Sequence, residues 1–199
     1  MTGSQRKKSA VAKIPVIPFA TRAAWKSWID AHHTKSSGVW IQFAKKTSGI
    51  PSVTHDEALD VALCYGWIDS QVKGRDDRTF IQKFTPRGAR SIWSTINRDK
   101  VQALIDIGEM MPAGHAEIDR AKKDGRWDAA YEGQARAEVP PDLKAALDAN
   151  PRAAKFFATL TSQNRYAILF RLHTAKKLET RAKRLADFVA MLERGETLH

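Results

Sequence analysis

Two groups of side chains in this sequence have the types and spacing that could bind an anionic ligand or transfer a proton. The first surrounds the segments ALCYGWID and FTPRGARSIWSTIN. Its candidate ligand-binding residues are Trp67, Asp69, Arg87, Ser91, Trp93, Ser94 and Asn97. An arginine beside the unpaired N–H groups of a helix start suits a carboxylate or phosphate, and neighbouring aromatic rings stack on planar groups. The sequence therefore predicts a pocket for an anionic ligand. The same residues allow a structural alternative, in which both tryptophans fill the core and Asp69 pairs with Arg87 or Arg90.

The second group is a run of basic residues near the C-terminus. Lys177, Arg181 and Arg184 are spaced i, i+4, i+7, so on a helix they share one face. Lys176 and Lys183 extend this face into what we call the basic ridge. Such a ridge can contact the phosphates of a nucleic acid, although most charge runs of this kind are solvated helix faces.

The motifs that mark common catalytic centres are absent from the sequence. It contains no phosphate loop, no dinucleotide-binding glycine motif, no HExxH and no serine nucleophile elbow. His32 and His33 are adjacent and diverge on a helix, and Cys64 lies in an apolar segment that favours a buried, unreactive thiol. We therefore predict no catalytic residue, metal or cofactor. Asp69 remains the one candidate acid or base, and no histidine or cysteine is predicted beside it.

Composition makes anionic partners plausible. The chain has 199 residues, a formal net charge of +11 and one cysteine. Its basic character suits nucleic acid, acidic headgroups or a phosphorylated small molecule, or else a charge that is simply solvated. A single thiol suits a reducing compartment, and no apolar run reaches the length of a membrane span. We expect a cytoplasmic protein with no transmembrane segment; its oligomeric state cannot be read from the sequence.

The elements that position the first group are predicted as a hairpin between helices. Thr54 and Glu57 form a capping box for a helix that ends at Gly66. Two strands follow, residues 67–72 and 79–85, around the turn GRDD. A helix begins at Ser94 or Thr95. Together with a helix from Thr21 and a strand over 39–44, this predicts an α+β fold with a small antiparallel sheet and flanking helices in the N-terminal half, and an all-helical C-terminal half.

The domain organisation follows from these elements. Residues 1–18 carry four positive charges and no negative one, with prolines that resist regular structure, so we expect a flexible basic arm. Residues 19–110 form the α+β domain and residues 111–139 a connecting segment. Residues 140–196 form a helical module, in which Asn150 and Pro151 start one helix and an apolar stripe from Leu185 to Leu192 marks the last.

Several long motifs carry a family resemblance. The segments ALCYGWID, KFTPRGARSIWSTIN, GEMMPAG and GRWDAAY resemble the YdeI/OmpD-associated family. The stretch VPPDLKAALDANPRAAKFF…AKKLETRAKR resembles the helical module of that family labelled bacteriocin protection. The likeness runs from about Trp25 to Gly195, with a departure at Leu178, where a proline is expected. It implies a bacterial stress-response role and tolerance of bacteriocins or antimicrobial peptides, and it brings no reaction, cofactor or catalytic residue.

Three functions are consistent with these observations. The first is a non-enzymatic binding or stress-response protein whose pocket near the tryptophan–arginine group holds an anionic small molecule, with the helical module as an interaction surface for a protein partner. The second is an enzyme of undetected type in the same pocket, using Asp69. The third is a non-specific nucleic-acid binder that uses the arm and the basic ridge. Direct capture of cationic peptides is disfavoured, because a charge of +11 repels them at long range.

Overall fold

The computed structural model describes residues 14–199, which fall into two compact units. The first unit contains residues 14–91 and 99–127, and the second contains residues 92–98 and 128–199. The segment expected to connect two domains is therefore divided: its helix belongs to the first unit, and its residues after 127 belong to the second.

The first unit combines a sheet with helices. Along the described chain its elements are β1 (Val16–Pro18), α1 (Arg22–His32), β2 (Val39–Ala44), α2 (His55–Cys64), β3 (Trp67–Gly74), β4 (Thr79–Pro86), α3 (Thr95–Asp106) and α4 (Pro112–Lys123). The first turn of α3 is counted with the second unit. The predicted hairpin is β3–β4, and the predicted α+β fold class is confirmed.

The sheet has the order β1-β2-β4-β3 among the described residues. Strands β2, β4 and β3 are antiparallel, as predicted, whereas β1 is parallel to β2, with Ile17 opposite Ile41. The prediction of a loose arm is therefore wrong for residues 16–18. These residues are ordered by backbone pairing with β2, and a three-residue sequence pattern does not indicate such pairing. The backbone N–H of Trp40 also donates to the Pro15 carbonyl at 2.8 Å. Residues 1–13 of the predicted arm lie outside the described residues.

Local capping explains where the helices around the sheet begin and end. Thr54 accepts from the Glu57 N–H, and the Glu57 carboxylate accepts from the Thr54 N–H at 2.8 Å, so the predicted capping box is confirmed. The helix α2 gives way to β3 at Gly66, whose φ of +70° is the left-handed conformation that glycine adopts most readily. This turn fixes the point at which β3 enters the sheet.

The second unit is helical. After residue 128 its helices are α5 (Pro141–Asp148), α6 (Pro151–Thr159), α7 (Ser162–His173) and α8 (Leu178–Glu193). Their apolar faces meet in a core built around Leu143, Ile168, Leu172 and Leu192, all at most 1% exposed. Asn150 caps α6, as predicted, by accepting from the Ala153 N–H at 3.1 Å.

Two further expectations can be compared with the structure. Cys64 is buried, as predicted, and burial raises the pKa of its thiol to about 11. A thiol with that pKa stays protonated at neutral pH and is a weak nucleophile. None of the helices in residues 14–199 is both long and apolar enough to cross a membrane.

Candidate functional site

Trp67 and Asp69 lie at the start of β3. The Trp67 side chain is 1% exposed and meets the Trp28 ring edge to face at 6.2 Å, so it belongs to the core. The register of β3 against β4 shifts after Asp69, and such bulges re-aim neighbouring side chains. The Asp69 carboxylate accepts from Gln82 Nε2 at 2.6 Å and lies 3.1 Å from His55 Nε2.

His55 is a partner of Asp69 that the sequence did not reveal. The expectation that no histidine lies beside Asp69 is wrong, because the first residue of α2 points its imidazole at this carboxylate. The hydrogen bond to Asp69 raises the pKa of His55 above its ordinary value of 6.5, against the opposing effect of burial. In the sequence, His55 is recognisable only as the residue after the N-cap Thr54. Its contact with Asp69 depends on tertiary structure.

The His55–Asp69 pair makes stability depend on pH. Because the pKa of His55 is raised in the folded state, the pair contributes stability that is fully present below a pH of about 6.5 and is lost as the pH rises through the folded pKa. We expect the free energy of unfolding of the wild type to fall relative to that of His55→Gln over this range. Urea unfolding followed by tryptophan fluorescence at a series of pH values measures it.

His115, an exposed histidine on α4, provides the control for this prediction. His115→Gln should keep the wild-type pH dependence. If His55→Gln also keeps the wild-type pH dependence, the His55–Asp69 pair makes no contribution to the free energy of unfolding that titrates with His55.

Three arginines gather at the end of β4 and the end of α4. Arg87 follows β4 directly, Arg120 lies in the last turn of α4, and Arg126 lies just beyond that helix. Arg87 and Arg126 are 4% and 6% exposed, whereas Arg120 is half-buried. Together with the carboxylates of Glu117 and Asp124, these arginines form what we call the arginine cluster.

The loop after β4 is held by these guanidinium groups. Arg87 Nη1 donates to Ser91 Oγ at 3.3 Å, and Arg126 Nη1 donates to the Ser91 carbonyl at 2.6 Å. Arg120 Nη2 donates to the Arg87 carbonyl at 3.1 Å. The predicted residues Arg87 and Ser91 are therefore brought together, within a larger set of cations than the sequence indicated.

The two carboxylates of the arginine cluster are each paired with an arginine. Glu117 pairs with Arg120, and Asp124 accepts from Arg126 Nε at 2.8 Å. Burial raises the pKa of Glu117, and the positive charges of Arg120, Arg126 and Arg87 act against that rise. Glu117 and Asp124 thus lie among guanidinium groups.

Arg126 Nη2 and Arg120 Nε are buried donor atoms of the arginine cluster, and neither has a hydrogen-bond partner among residues 14–199. A buried donor without a partner costs about 1–3 kcal/mol, and more when it is charged. Buried guanidinium donors that lack an acceptor are the chemistry of an anion site.

The other predicted residues belong to the second unit. Trp93 is 1% exposed. Its carbonyl accepts from the Tyr131 N–H at 3.0 Å, which ties the segment before α3 to the segment around Tyr131. Ser94 Oγ accepts from the Asn97 N–H at 3.1 Å, so one of the first N–H groups of α3 has a partner within the chain.

Comparison with family models gives two matches. A model described as "Domain of unknown function (DUF8412)" matches residues 17–117, about half of the chain. The chain belongs to this family. A second model, described as "Bacteriocin-protection, YdeI or OmpD-Associated", matches residues 136–195. It confirms the predicted YdeI/OmpD-associated resemblance for the C-terminal part. Comparison with curated proteins gives no match, and comparison with solved structures gives none either.

The basic ridge lies in the YdeI/OmpD-associated domain of this DUF8412 protein. Arg181 binds the Asp142 carboxylate through Nε at 2.6 Å and Nη2 at 2.8 Å, and its Nη1 donates to the Leu172 carbonyl at 2.7 Å. Arg184 Nη1 donates to the Arg171 carbonyl at 2.5 Å. These two guanidinium groups are therefore used inside the unit.

The three lysines of the ridge are exposed. Lys176 and Lys177 lie between α7 and α8, and Lys183 pairs with Asp187 at 2.7 Å. Surface pairs of this kind contribute little to stability. The part of the ridge that remains open to an external phosphate is its N-terminal end.

Sequence reasoning missed Arg120 and Arg126 as members of the site. The available signal was the motif GRWDAAY. Its glycine, Gly125, has a φ of +76° just past the end of α4, and Arg126 follows it directly. A helix stop followed by arginine is too common to indicate a site alone, and its approach to Ser91 becomes visible only in the folded DUF8412 protein.

Proposed function

We propose that this DUF8412-family protein is a non-enzymatic binding protein that holds a small anionic ligand at the arginine cluster. The observation that carries the proposal is Arg126, which is 6% exposed and has a buried Nη2 without a partner in the described chain. A phosphate or carboxylate oxygen is the natural acceptor for such a donor, since guanidinium groups bind planar oxyanions through parallel hydrogen bonds.

The donors that remain beside the ion pairs support the same ligand class. Burying a charged donor is costly unless it has an acceptor. Glu117 pairs with Arg120 and Asp124 with Arg126, yet Arg120 Nε and Arg126 Nη2 stay without an acceptor in the described chain, and an added anion would supply one. Because Arg120 is 40% exposed, it offers an approach from solvent to the two buried arginines.

A link to bacteriocin protection enters the proposal only indirectly. The family description for residues 136–195 names that role. The net charge of +11 disfavours direct capture of cationic peptides. Any protective or stress-response effect would therefore act through the bound anion or through a protein partner of the helical unit.

A second candidate function is proton-transfer catalysis at Asp69, which the contact with His55 favours. A histidine held by a carboxylate, with 39% of its side chain exposed, is an arrangement that general bases use. An ester or phosphoester hydrolysis that His55→Gln abolishes, while Arg120→Gln leaves its turnover unchanged at saturating substrate, would establish this function.

The anion proposal predicts ligand-dependent stabilisation that requires Arg120. Inorganic phosphate, pyrophosphate and citrate are titrated at constant ionic strength while the melting temperature is measured. A ligand at 100 times its dissociation constant stabilises the folded state by about 2.7 kcal/mol. We expect at least one of these anions to raise the melting temperature of the wild type, and Arg120→Gln to lose most of that rise.

Arg75→Gln provides the matched control, because Arg75 is an exposed arginine in the β3–β4 turn and its loss changes the net charge equally. It should respond to the anion as the wild type does. Equal stabilisation of wild type, Arg120→Gln and Arg75→Gln would mean that the effect comes from general charge, and the proposal would fail.

A further inference from the structure

The second unit contains a pocket of about 550 Å³ whose lining includes no residue of the arginine cluster. Small-molecule sites typically occupy about 300–1,000 Å³. The pocket is lined by residues of the segment 130–140 and of the helix α7, together with Arg181 of α8. Its lining includes both aromatic rings and charged side chains, so two kinds of contact are available to an occupant.

The aromatic wall consists of Tyr131, Tyr166 and Phe170. The rings of Tyr131 and Phe170 meet edge to face at 4.9 Å, and the Tyr166 ring lies 6.0 Å from that of Phe170. All three rings are partly exposed. Tyr166 is held in place because its hydroxyl donates to the Glu132 carbonyl at 3.2 Å. Fixed, partly exposed aromatic rings bind apolar groups, and their faces attract cations.

The charges around this wall favour a cation. The pocket is lined by the carboxylates of Glu132 and Glu138 and by the guanidinium groups of Arg136 and Arg181. Arg181 is neutralised by its two hydrogen bonds to Asp142, and all three of its nitrogens donate within the unit. The lining holds two carboxylates and two guanidinium groups, and because Asp142 neutralises Arg181, the balance around the pocket is negative, in a chain whose net charge is +11.

We propose that this pocket binds a small organic cation, an ammonium or guanidinium group carried on an apolar body. The apolar body packs against Tyr131, Tyr166 and Phe170, and the cation lies towards Glu138, which is exposed. This ligand class is opposite in charge to the one that fits the arginine cluster. The inference is therefore independent of the proposed function.

The test uses three probes of nearly equal size that differ in charge. Benzylamine, benzyl alcohol and benzoate are titrated separately into the full chain at a pH of about 8, where imidazoles are uncharged. Backbone amide NMR shifts report binding. We expect saturable shifts at Tyr166, Phe170 and Glu138 with benzylamine, and at least fivefold weaker binding of the other two probes.

Variants separate a specific site from general attraction. Glu138→Gln should weaken benzylamine binding at least fivefold, and Tyr166→Leu should weaken it as well. Glu193→Gln, which removes an exposed carboxylate at the end of α8, should leave it unchanged. Benzoate or benzyl alcohol binding as tightly as benzylamine, or unchanged affinity in Glu138→Gln, would overturn the inference.

Discussion

We expect Gly114→Ala to destabilise the first unit by about 3 kcal/mol or more, at the upper end of ordinary overpacking, and to remove the proposed anion binding with it. Gly114 lies on α4, where an added Cβ would overlap the Cys64 carbonyl and approach Met110 Cε at 2.6 Å. The carbonyl cannot easily retreat, because it accepts from the Met111 N–H at 3.1 Å. The methyl group therefore pushes α4 away from α2, and Arg120 moves with α4.

Chemical unfolding measures the loss of stability, and the anion-dependent rise in melting temperature measures the loss of anion binding. Gly88→Ala is the matched control: it lies beside Arg87, a Cβ there meets nothing within 4 Å, and its φ is not positive. We expect this control to change stability by less than about 1 kcal/mol. Wild-type stability in Gly114→Ala would show that α4 and α2 do not pack as closely as described.

We expect Leu172→Ala to destabilise the second unit by about 2–5 kcal/mol, the range for truncating a leucine in a tightly packed core. Leu172 is 0% exposed in the core formed by α5, α6, α7 and α8. The same helix carries Leu169 and Phe170 at the pocket, so we expect benzylamine binding to weaken as well.

Leu178→Ala makes the same chemical change at a residue that is 84% exposed. Its effect on the free energy of unfolding should stay within about 0.5 kcal/mol. Urea unfolding of both variants tests the difference. Similar changes in the free energy of unfolding for Leu172→Ala and Leu178→Ala would contradict the placement of Leu172 in the helical core.

The parts of the fold that depend on neighbouring residues could be predicted from the sequence. The capping box of Thr54 and Glu57 and the cap at Asn150 act within one turn, and in β4 the half-buried Lys83 lies between the buried Gln82 and Phe84. The strand β1 could not be predicted, because a three-residue strand that itself ends in a proline has no recognisable period. Its hydrogen bonds come from β2, which lies more than twenty residues away along the chain.

The candidate site was only partly predictable for the same reason. Arg87 and Ser91 are four residues apart, so their proximity follows from the loop after β4. Arg126 reaches Ser91 across 35 residues, and His55 reaches Asp69 across 14. Such long-range contacts depend on how α4 and α2 pack against the sheet. This packing cannot be predicted from the types of the side chains alone.

The central claim is that the arginine cluster binds an anion. It is tested most directly by the NMR signals of the arginine Nε–H groups during a phosphate titration at constant ionic strength. Arg120 Nε is buried without a hydrogen-bond partner in the described chain, so a bound phosphate oxygen should shift its signal strongly. We predict a saturable shift at Arg120, with a smaller one at Arg126 as its free Nη2 becomes paired, and none at the exposed Arg75. Shifts that grow linearly and equally at all three arginines would contradict the claim.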